Sequence, residues 1–242
     1  MNNRWGLRIL LCLAVSLGLA YMPAIAQEVT ERYRSVPANA DGIGKTYMGR
    51  QIAYVMGWQG AAWLEREERE REERSDLLLR ILALAPGMTV ADVGAGTGYY
   101  SRRIADVVGP TGKVYAVDVQ PEMVAMLQSV AKQRRYDHVK PVLGGVDDVK
   151  LAAASVDVAI MVDVYHELEF PYEVLANIVH AVKPGCRVIF VEYRAEDPRV
   201  PIKPLHKMSE TQIRREAEVH PLVWERTAND LPWQHVVIFQ RR

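Results

Sequence analysis

The chain has 242 residues, 49% of them hydrophobic and 25% charged, which suits one ordinary globular domain with some appended segments. Lys and Arg total 30 and Asp and Glu total 30, so the formal net charge is zero. That balance gives no global basic excess for nucleic acid and no acidic tail. Two cysteines, Cys12 and Cys186, are too few for a disulfide framework, so the fold must stand on its core.

The first 26 residues read as a secretory signal peptide. Arg4 and Arg8 precede an apolar run from Ile9 to Ala20, and Ala24-Ile25-Ala26 is a small-x-small cleavage site. Cleavage is expected between Ala26 and Gln27, with export to the periplasm or beyond. The run is short for a membrane span of about 20 residues, so none is expected after cleavage. Cys12 leaves with the signal. Cys186, beside the strand-like Arg187–Phe190, is expected to be buried and inert.

Residues 27–76 read as an N-terminal extension with cap helices. Gln27–Ala40 is an extended lead-in without a clear period. Gly44–Leu64 is punctuated by glycine yet carries Tyr47, Met48, Arg50, Tyr54, Met56, Trp58 and Trp63; short helices packed over a site are expected there. Glu65–Arg74 is a dense charge run with Glu65/Arg69, Glu67/Arg71 and Glu70/Arg74 at i,i+4 spacing. It reads as the solvated face of a helix that continues through Leu77, Leu78, Ile81 and Leu82 and stops at Pro86-Gly87.

Residues 77–242 form the domain proper. Strands are predicted at Thr89–Val93, Lys113–Val119, Val139–Leu143, Val156–Asp163, Arg187–Tyr193, Leu222–Arg226 and Gln234–Gln240. Helices are predicted at Tyr99–Val108, Pro121–Arg134, Pro171–Val182 and Ser209–Val219, the last with a Ser209/Gln212 capping box. Alternation of near-continuous apolar strands with helices implies an α/β fold, a mostly parallel, doubly wound, seven-stranded sheet. The last two strands, joined by the turn-rich Thr227–Pro232, are expected to pair antiparallel at an edge.

The strongest chemical signal is Asp92-Val93-Gly94-Ala95-Gly96-Thr97-Gly98 between the first strand and its helix. Glycines let the backbone turn tightly and approach a ligand, and the helix start offers free N–H groups to an anion. A dinucleotide fingerprint, G-x-G-x-x-G/A, wants a small residue where Tyr99 stands, and Asp92 sits two residues before the first glycine. A second acid, Asp118, ends the next strand, where a carboxylate binds ribose hydroxyls.

This D-x-G-x-G-x-G pattern resembles the first motif of class I S-adenosylmethionine-dependent methyltransferases, near the quinone-biosynthesis and related small-molecule enzymes. The resemblance runs from about Leu77 to Tyr193 and implies a Rossmann-like methyltransferase fold with S-adenosyl-L-methionine as cofactor. It implies cofactor contacts from Asp92, Gly94, Ala95, Gly96 and Gly98, from Asp118 and Val119, and from Asp147 or Asp148 against adenine. Asp163, in the stretch Asp157–Leu168, would lie beneath the methionine part, and Val182–Arg187 resembles the family's Leu-Lys-Pro-Gly-Gly-Arg turn with Cys186 at the second glycine. Tyr47-Met48-Gly49-Arg50, Glu192-Tyr193-Arg194 and Pro204–Met208 are similar to a narrower, exported methyltransferase-like set.

Methyl transfer needs orientation and exclusion of water, and a base only where the nucleophile must lose a proton. His166, after a buried strand aimed at the cofactor, is the candidate base. Tyr47, Tyr165, Glu192, Tyr193, Arg194 and His206 are candidates to line the pocket for a small-molecule acceptor with an O, N or C nucleophile. Asp163, His166, Glu167 and Glu192 show no recognised ligand spacing, so no metal is expected. An exported, non-catalytic protein that binds the cofactor or a partner is the competing expectation. A nicotinamide-dependent oxidoreductase is disfavoured by Tyr99 and Asp92. No nucleic-acid partner is expected, and the sequence does not indicate an oligomeric state.

Overall fold

Apolar side chains on both faces of consecutive strands force a sheet to be covered on both sides. Val90 and Ala91, Val158–Met161 and Val188–Val191 are such runs, and all are buried. In the computed structural model, which describes residues 32–242, they form the centre of a seven-stranded sheet. Its strands are β4 (Thr89–Val93), β5 (Lys113–Asp118), β6 (Val139–Leu143), β7 (Val156–Val162), β8 (Val182–Tyr193), β9 (Leu222–Ala228) and β10 (Gln234–Arg241). The order across the sheet is β6-β5-β4-β7-β8-β10-β9. The first five run parallel, and β10 is antiparallel to both β8 and β9, as the turn-rich 227–232 connection predicts. The signal peptide expected over residues 1–26 lies outside the described residues.

Helices cover both faces. On one face α6 (Pro171–Ala181) and α7 (Glu210–Ala217) pack Val174, Leu175, Ile178 and Ile213 on Phe190 and Phe239. On the other, α3 (Ser75–Leu82), α4 (Tyr99–Val108) and α5 (Pro121–Arg134) pack Leu78, Leu82, Ile104 and Leu127 against Val90, Val114 and Ile160. Each such buried aliphatic side chain contributes roughly 1.5–3 kcal/mol. Ser209 caps α7 by accepting the Gln212 amide hydrogen, as read from the sequence. The order of strand addition reverses between β4, which leads outward to β5 and β6, and β7, which starts the other half. A parallel sheet opens its ligand crevice at that point, beyond the carboxyl ends of the strands.

Two expectations for the N-terminal part are corrected. Residues Gly44–Leu64 are not all short helices. β1 (Tyr33–Ser35), β2 (Gly42–Tyr47) and β3 (Arg50–Ala53) form a small antiparallel sheet, and only then do a 3-10 turn (Trp58–Gly60) and α1 (Ala61–Leu64) follow. The β2–β3 turn is Met48-Gly49, with φ of 49° and 92°; two consecutive positive φ values suit the twist of a two-residue hairpin. The hairpin is anchored by Arg50, which donates to both Glu216 oxygens at 2.8 and 2.9 Å and to the His166 carbonyl at 2.9 Å. Tyr33, Tyr47 and Ile52 pack with Phe170 and Tyr172.

The charge run is likewise not one solvated helix. It breaks at Arg74, which takes φ 54°, between α2 (Arg69–Glu73) and α3. Arg69 and Glu73 are buried, 5% and 1% exposed. Three tyrosines from distant elements make this niche. Arg69 lies over the rings of Tyr99 and Tyr100, 4.1 and 5.0 Å from their centroids. Glu73 accepts from Arg66 and Arg69, both at 2.8 Å, from Tyr193 at 3.0 Å and from Tyr100 at 3.3 Å. Glu65 turns the other way and pairs with Arg102 at 2.8 Å. Cys186 is partly buried beside the core rather than fully enclosed.

Candidate active site

Beyond the ends of β4, β5 and β7 lies a cavity of about 590 Å³. Its floor is the glycine turn. Gly94 and Ala95 donate to the Val117 carbonyl at 2.8 and 2.9 Å, which folds the turn back onto β5. A Cβ on Gly94 would fall 2.3 Å from Val164 Cγ2, and φ there is 74°, so the turn requires glycine at that position. Gly94, Gly96, Val93 and Val117 line the cavity; Ala95 and Gly98 shape the turn from behind it. Asp118 Oδ2 accepts the Gly96 amide at 2.9 Å and Oδ1 accepts the Gln120 amide at 2.9 Å. Burial raises the Asp118 pKa against these stabilising N–H groups.

Asp92 does not reach the cavity. It is buried within β4 and accepts the Ser101 hydroxyl at 2.6 Å, tying the strand to α4. Burial raises its pKa to about 6. Asp147 and Asp148 also lie off the lining: Asp147 is exposed, and Asp148 holds the Lys150 amide and ammonium at 2.8 and 2.7 Å. Their neighbours Gly145, Val146 and Val149 form the wall instead, facing Val119.

Asp163 enters the cavity from the end of β7 with φ 52°. Its Oδ2 accepts the Gln234 amide at 3.0 Å, whereas Oδ1 is buried with no partner among the described residues. Burial, reinforced by Glu73 and Glu192, holds its pKa well above the carboxylate range. Arg66, Arg69, Glu73 and Tyr193 line the same end. Of these only Tyr193 is legible in the sequence as a pocket residue. The others were hidden because a run of alternating charges looks alike whether it faces water or a tyrosine niche.

The lining also carries imidazoles. His166 is 2% exposed, and its Nδ1 is 2.6 Å from Glu192 Oε2, while Glu192 Oε1 accepts the Tyr165 amide at 2.8 Å. Its Nε2 is 3.2 Å from His206 Nδ1. Burial disfavours the His166 imidazolium, but the Glu192 carboxylate outweighs it and leaves the pKa raised. Burial, then the neighbouring His166, lowers that of His206. Glu167 accepts the Met56 amide at 2.9 Å, and burial raises its pKa to about 7. His166, Glu167, Tyr193 and His206 line the cavity.

The remaining pocket candidates do not line it. Tyr47 is buried in the N-terminal sheet against Tyr33. Tyr165 packs edge-on to Phe190 in the core. Glu192 lies behind His166, with Oε2 2.6 Å from its Nδ1. Arg194 holds the carbonyls of Leu231 and Gln234 at 2.9 and 2.6 Å and so shapes the loop before β10. The absence of a metal cluster from the linear spacing has a counterpart in the fold that spacing had no means to show: atoms of His166, Glu167 and His206 all lie within 4.8 Å of one another.

A strap, residues 54–64, roofs the cavity. Gln120 clasps it through both ends of its amide: Oε1 accepts the Trp58 N–H at 2.7 Å and Nε2 donates to the Met56 carbonyl at 3.0 Å. Leu64 leans onto Gly96. Tyr54, Val55, Trp63, Val119 and Val146, each 40–51% exposed, make an apolar rim.

A sheet with this strand order and a glycine turn, a strand-end acid and an apolar crevice at its switch point belongs to a nucleoside-binding α/β protein. A methyltransferase-domain family model matches residues 84–232, and the chain belongs to that family. It is 34% identical over 92 residues to a protein-L-isoaspartate O-methyltransferase of Methanothrix thermoacetophila, covering 34% of this chain and 44% of that one. It is 28% identical over 122 residues to the ubiquinone/menaquinone biosynthesis C-methyltransferase UbiE of Ectopseudomonas mendocina, covering 48% and 45%. The chain thus spans less than half the length of these curated relatives. A crystal structure of a SAM-dependent methyltransferase from Aquifex aeolicus superposes with TM-score 0.73 at 24% identity, over 78% of this chain and all of that one. The cofactor is S-adenosyl-L-methionine. The lining fits such a group in kind, with carboxyl groups at Asp118 and Asp163 and apolar side chains at Val119 and Val146.

Proposed function

We propose that this protein transfers the methyl group of S-adenosylmethionine to a small-molecule acceptor carrying an oxygen, nitrogen or carbon nucleophile. The observation that carries this reading is one cavity lined by the glycine turn, Asp118 and Asp163 together with His166, Glu167 and His206. The cofactor supplies an activated methyl on a sulfonium. The chain's own part is to hold both reactants and exclude water, which the strap favours by roofing the site. His166 is the expected base, but its Nε2 faces His206 Nδ1. In our reading it therefore acts on the acceptor's proton through His206, with Glu192 fixing the ring.

Calorimetric titration with S-adenosylmethionine and S-adenosylhomocysteine tests the cofactor half. Micromolar binding of both, weakened at least about tenfold in Asp118→Ala, is expected, since the carboxylate contributes on the order of 1.5–3 kcal/mol to hydroxyl contacts. No binding to either ligand would end the methyltransferase reading. A screen of small phenols, amines and enols for loss of S-adenosylmethionine then tests the acceptor class.

We further propose export after cleavage between Ala26 and Gln27, on the layout of the first 26 residues. No helix among the described residues is long and apolar enough to cross a membrane. N-terminal sequencing of fractionated protein tests this: a chain beginning at Gln27 outside the cytosol supports it, and a full-length chain retained in the cytosol overturns it.

A further inference from the structure

Two imidazoles and a carboxylate converge on the cavity lining, and the way they are held differs from ordinary packing. His166 Nδ1 is 2.6 Å from Glu192 Oε2, which fixes the ring and assigns the proton to Nδ1. A carboxylate behind a histidine is the arrangement that orients a metal ligand and raises its basicity. The Nε2 lone pair is thereby directed to the far side of the ring, where His206 Nδ1 lies 3.2 Å away. Two nitrogens bound to one tetrahedral ion at bond lengths of about 2.0–2.1 Å stand about 3.3 Å apart. The observed separation is close to that value, and the rings are tilted by 79°, so they meet edge to face and do not stack.

Glu167, next in sequence to His166, completes the group, with one ligand atom of each residue inside 4.8 Å. Its Oε2 already accepts the Met56 amide, and a carboxylate keeps further lone pairs for a cation. Charge points the same way. Glu167 and Glu192 bring two carboxylates to the imidazoles. The nearby Arg50 is already bound to both Glu216 oxygens, and Lys203 on the cavity wall pairs with Asp41. All three candidate ligands line the cavity, so a fourth position would open into it. Three protein ligands with one open position is the pattern of a catalytic rather than a structural zinc site.

We propose that His166 Nε2, His206 Nδ1 and the Glu167 carboxylate form a binding site for one divalent transition metal of the zinc class, with its open position facing the methyl acceptor. Metal binding stands on the ligand geometry alone; the acceptor's place at the open position rests on the methyl-transfer reading. A metal there would bind an acceptor heteroatom and take over from His206 the task of making it nucleophilic.

The test uses untagged full-chain protein stripped with a chelator and dialysed. Zn²⁺ is titrated calorimetrically and Co²⁺ is followed by its visible ligand-field absorption, with S-adenosylmethionine titrated into the same samples. The expected result is one equivalent of Zn²⁺ bound at about 10 μM or tighter. Affinity should fall at least about 100-fold in His206→Ala and about tenfold or more in Glu192→Gln, which lacks a direct ligand role. His206 lies in a half-buried 3-10 turn outside the core, and unchanged cofactor binding in its variant shows that the fold is kept. Absence of a one-equivalent site, or equal affinity in His206→Ala, overturns the proposal. Cofactor binding without metal binding removes the metal site alone; metal binding without cofactor binding removes the methyl-transfer reading and leaves the metal site standing.

Discussion

Asp92 shows how one side chain departs from its motif. The acid two residues before the glycine turn is expected to meet the cofactor, but it is spent on Ser101 and on burial within β4. Its pKa rises from 3.8 to about 6, mainly through burial, with Arg69 opposing and Asp118 reinforcing. The sign of the pH effect follows. Below about pH 4 the carboxyl is protonated in both folded and unfolded chains. Between 4 and 6 the unfolded chain ionises first, so this residue's contribution to stability is lost as pH rises, by about 2–3 kcal/mol in all. Denaturant unfolding of the wild type and Asp92→Asn should therefore diverge across that window, the wild type losing ground, and run parallel above it. A difference that stays constant from pH 4 to 7 would contradict this account.

At the scale of elements, α2 carries the clearest surprise. The residues Glu65–Arg74 carry ten charges in succession, and nothing local distinguishes Arg69 and Glu73 from their neighbours. Their burial depends on Tyr100 and Tyr193, which come 27 and 120 residues later than Glu73. Removing Glu73 strands two arginines and two phenols together. Glu73→Ala is expected to lower stability by about 3–5 kcal/mol, and Glu73→Gln by less, in thermal or denaturant unfolding. The β2–β3 hairpin was missed for a different reason. Its signal was present, two residues Met48-Gly49 between short runs, but the glycines and aromatic residues around it carry no clean alternation. By contrast β4, β6, α4 and α5 lie where the sequence puts them, because apolar runs bounded by Pro and Gly leave little choice.

For the whole molecule, the legible part is the sheet and the glycine turn beside Asp118, and the illegible part is what residues 33–64 build over the cavity. Gly94, Gly96 and Asp118 sit side by side because β4 and β5 are adjacent in a parallel sheet, a rule of the fold class that carries from sequence to space. Glu192 meets His166 from β8, the neighbour of β7, and His206 joins them from the long connection after β8, a meeting that no local pattern encodes. The strap at 54–64 is joined to the domain by a few polar contacts and an apolar rim, so it should open more readily than the sheet. Hydrogen exchange should show the amides of Met56 and Trp58 exchanging faster than those of β4 and β7, and slowing when S-adenosylmethionine is added. Gln120→Ala should abolish that slowing at Trp58, whose N–H Gln120 accepts, while leaving the unfolding midpoint almost unchanged.

Under the methyl-transfer proposal, the clasp by Gln120 also predicts a kinetic order of events. Both Met56 and Trp58 must let go of one side chain before a spent cofactor leaves, and Glu167 must release the Met56 amide as well. Departure of S-adenosylhomocysteine, rather than the methyl step, is then expected to govern the steady state of the proposed reaction. Rapid mixing would record a burst of one product per protein followed by a slower line, and Gln120→Ala would steepen the line and leave the burst rate alone.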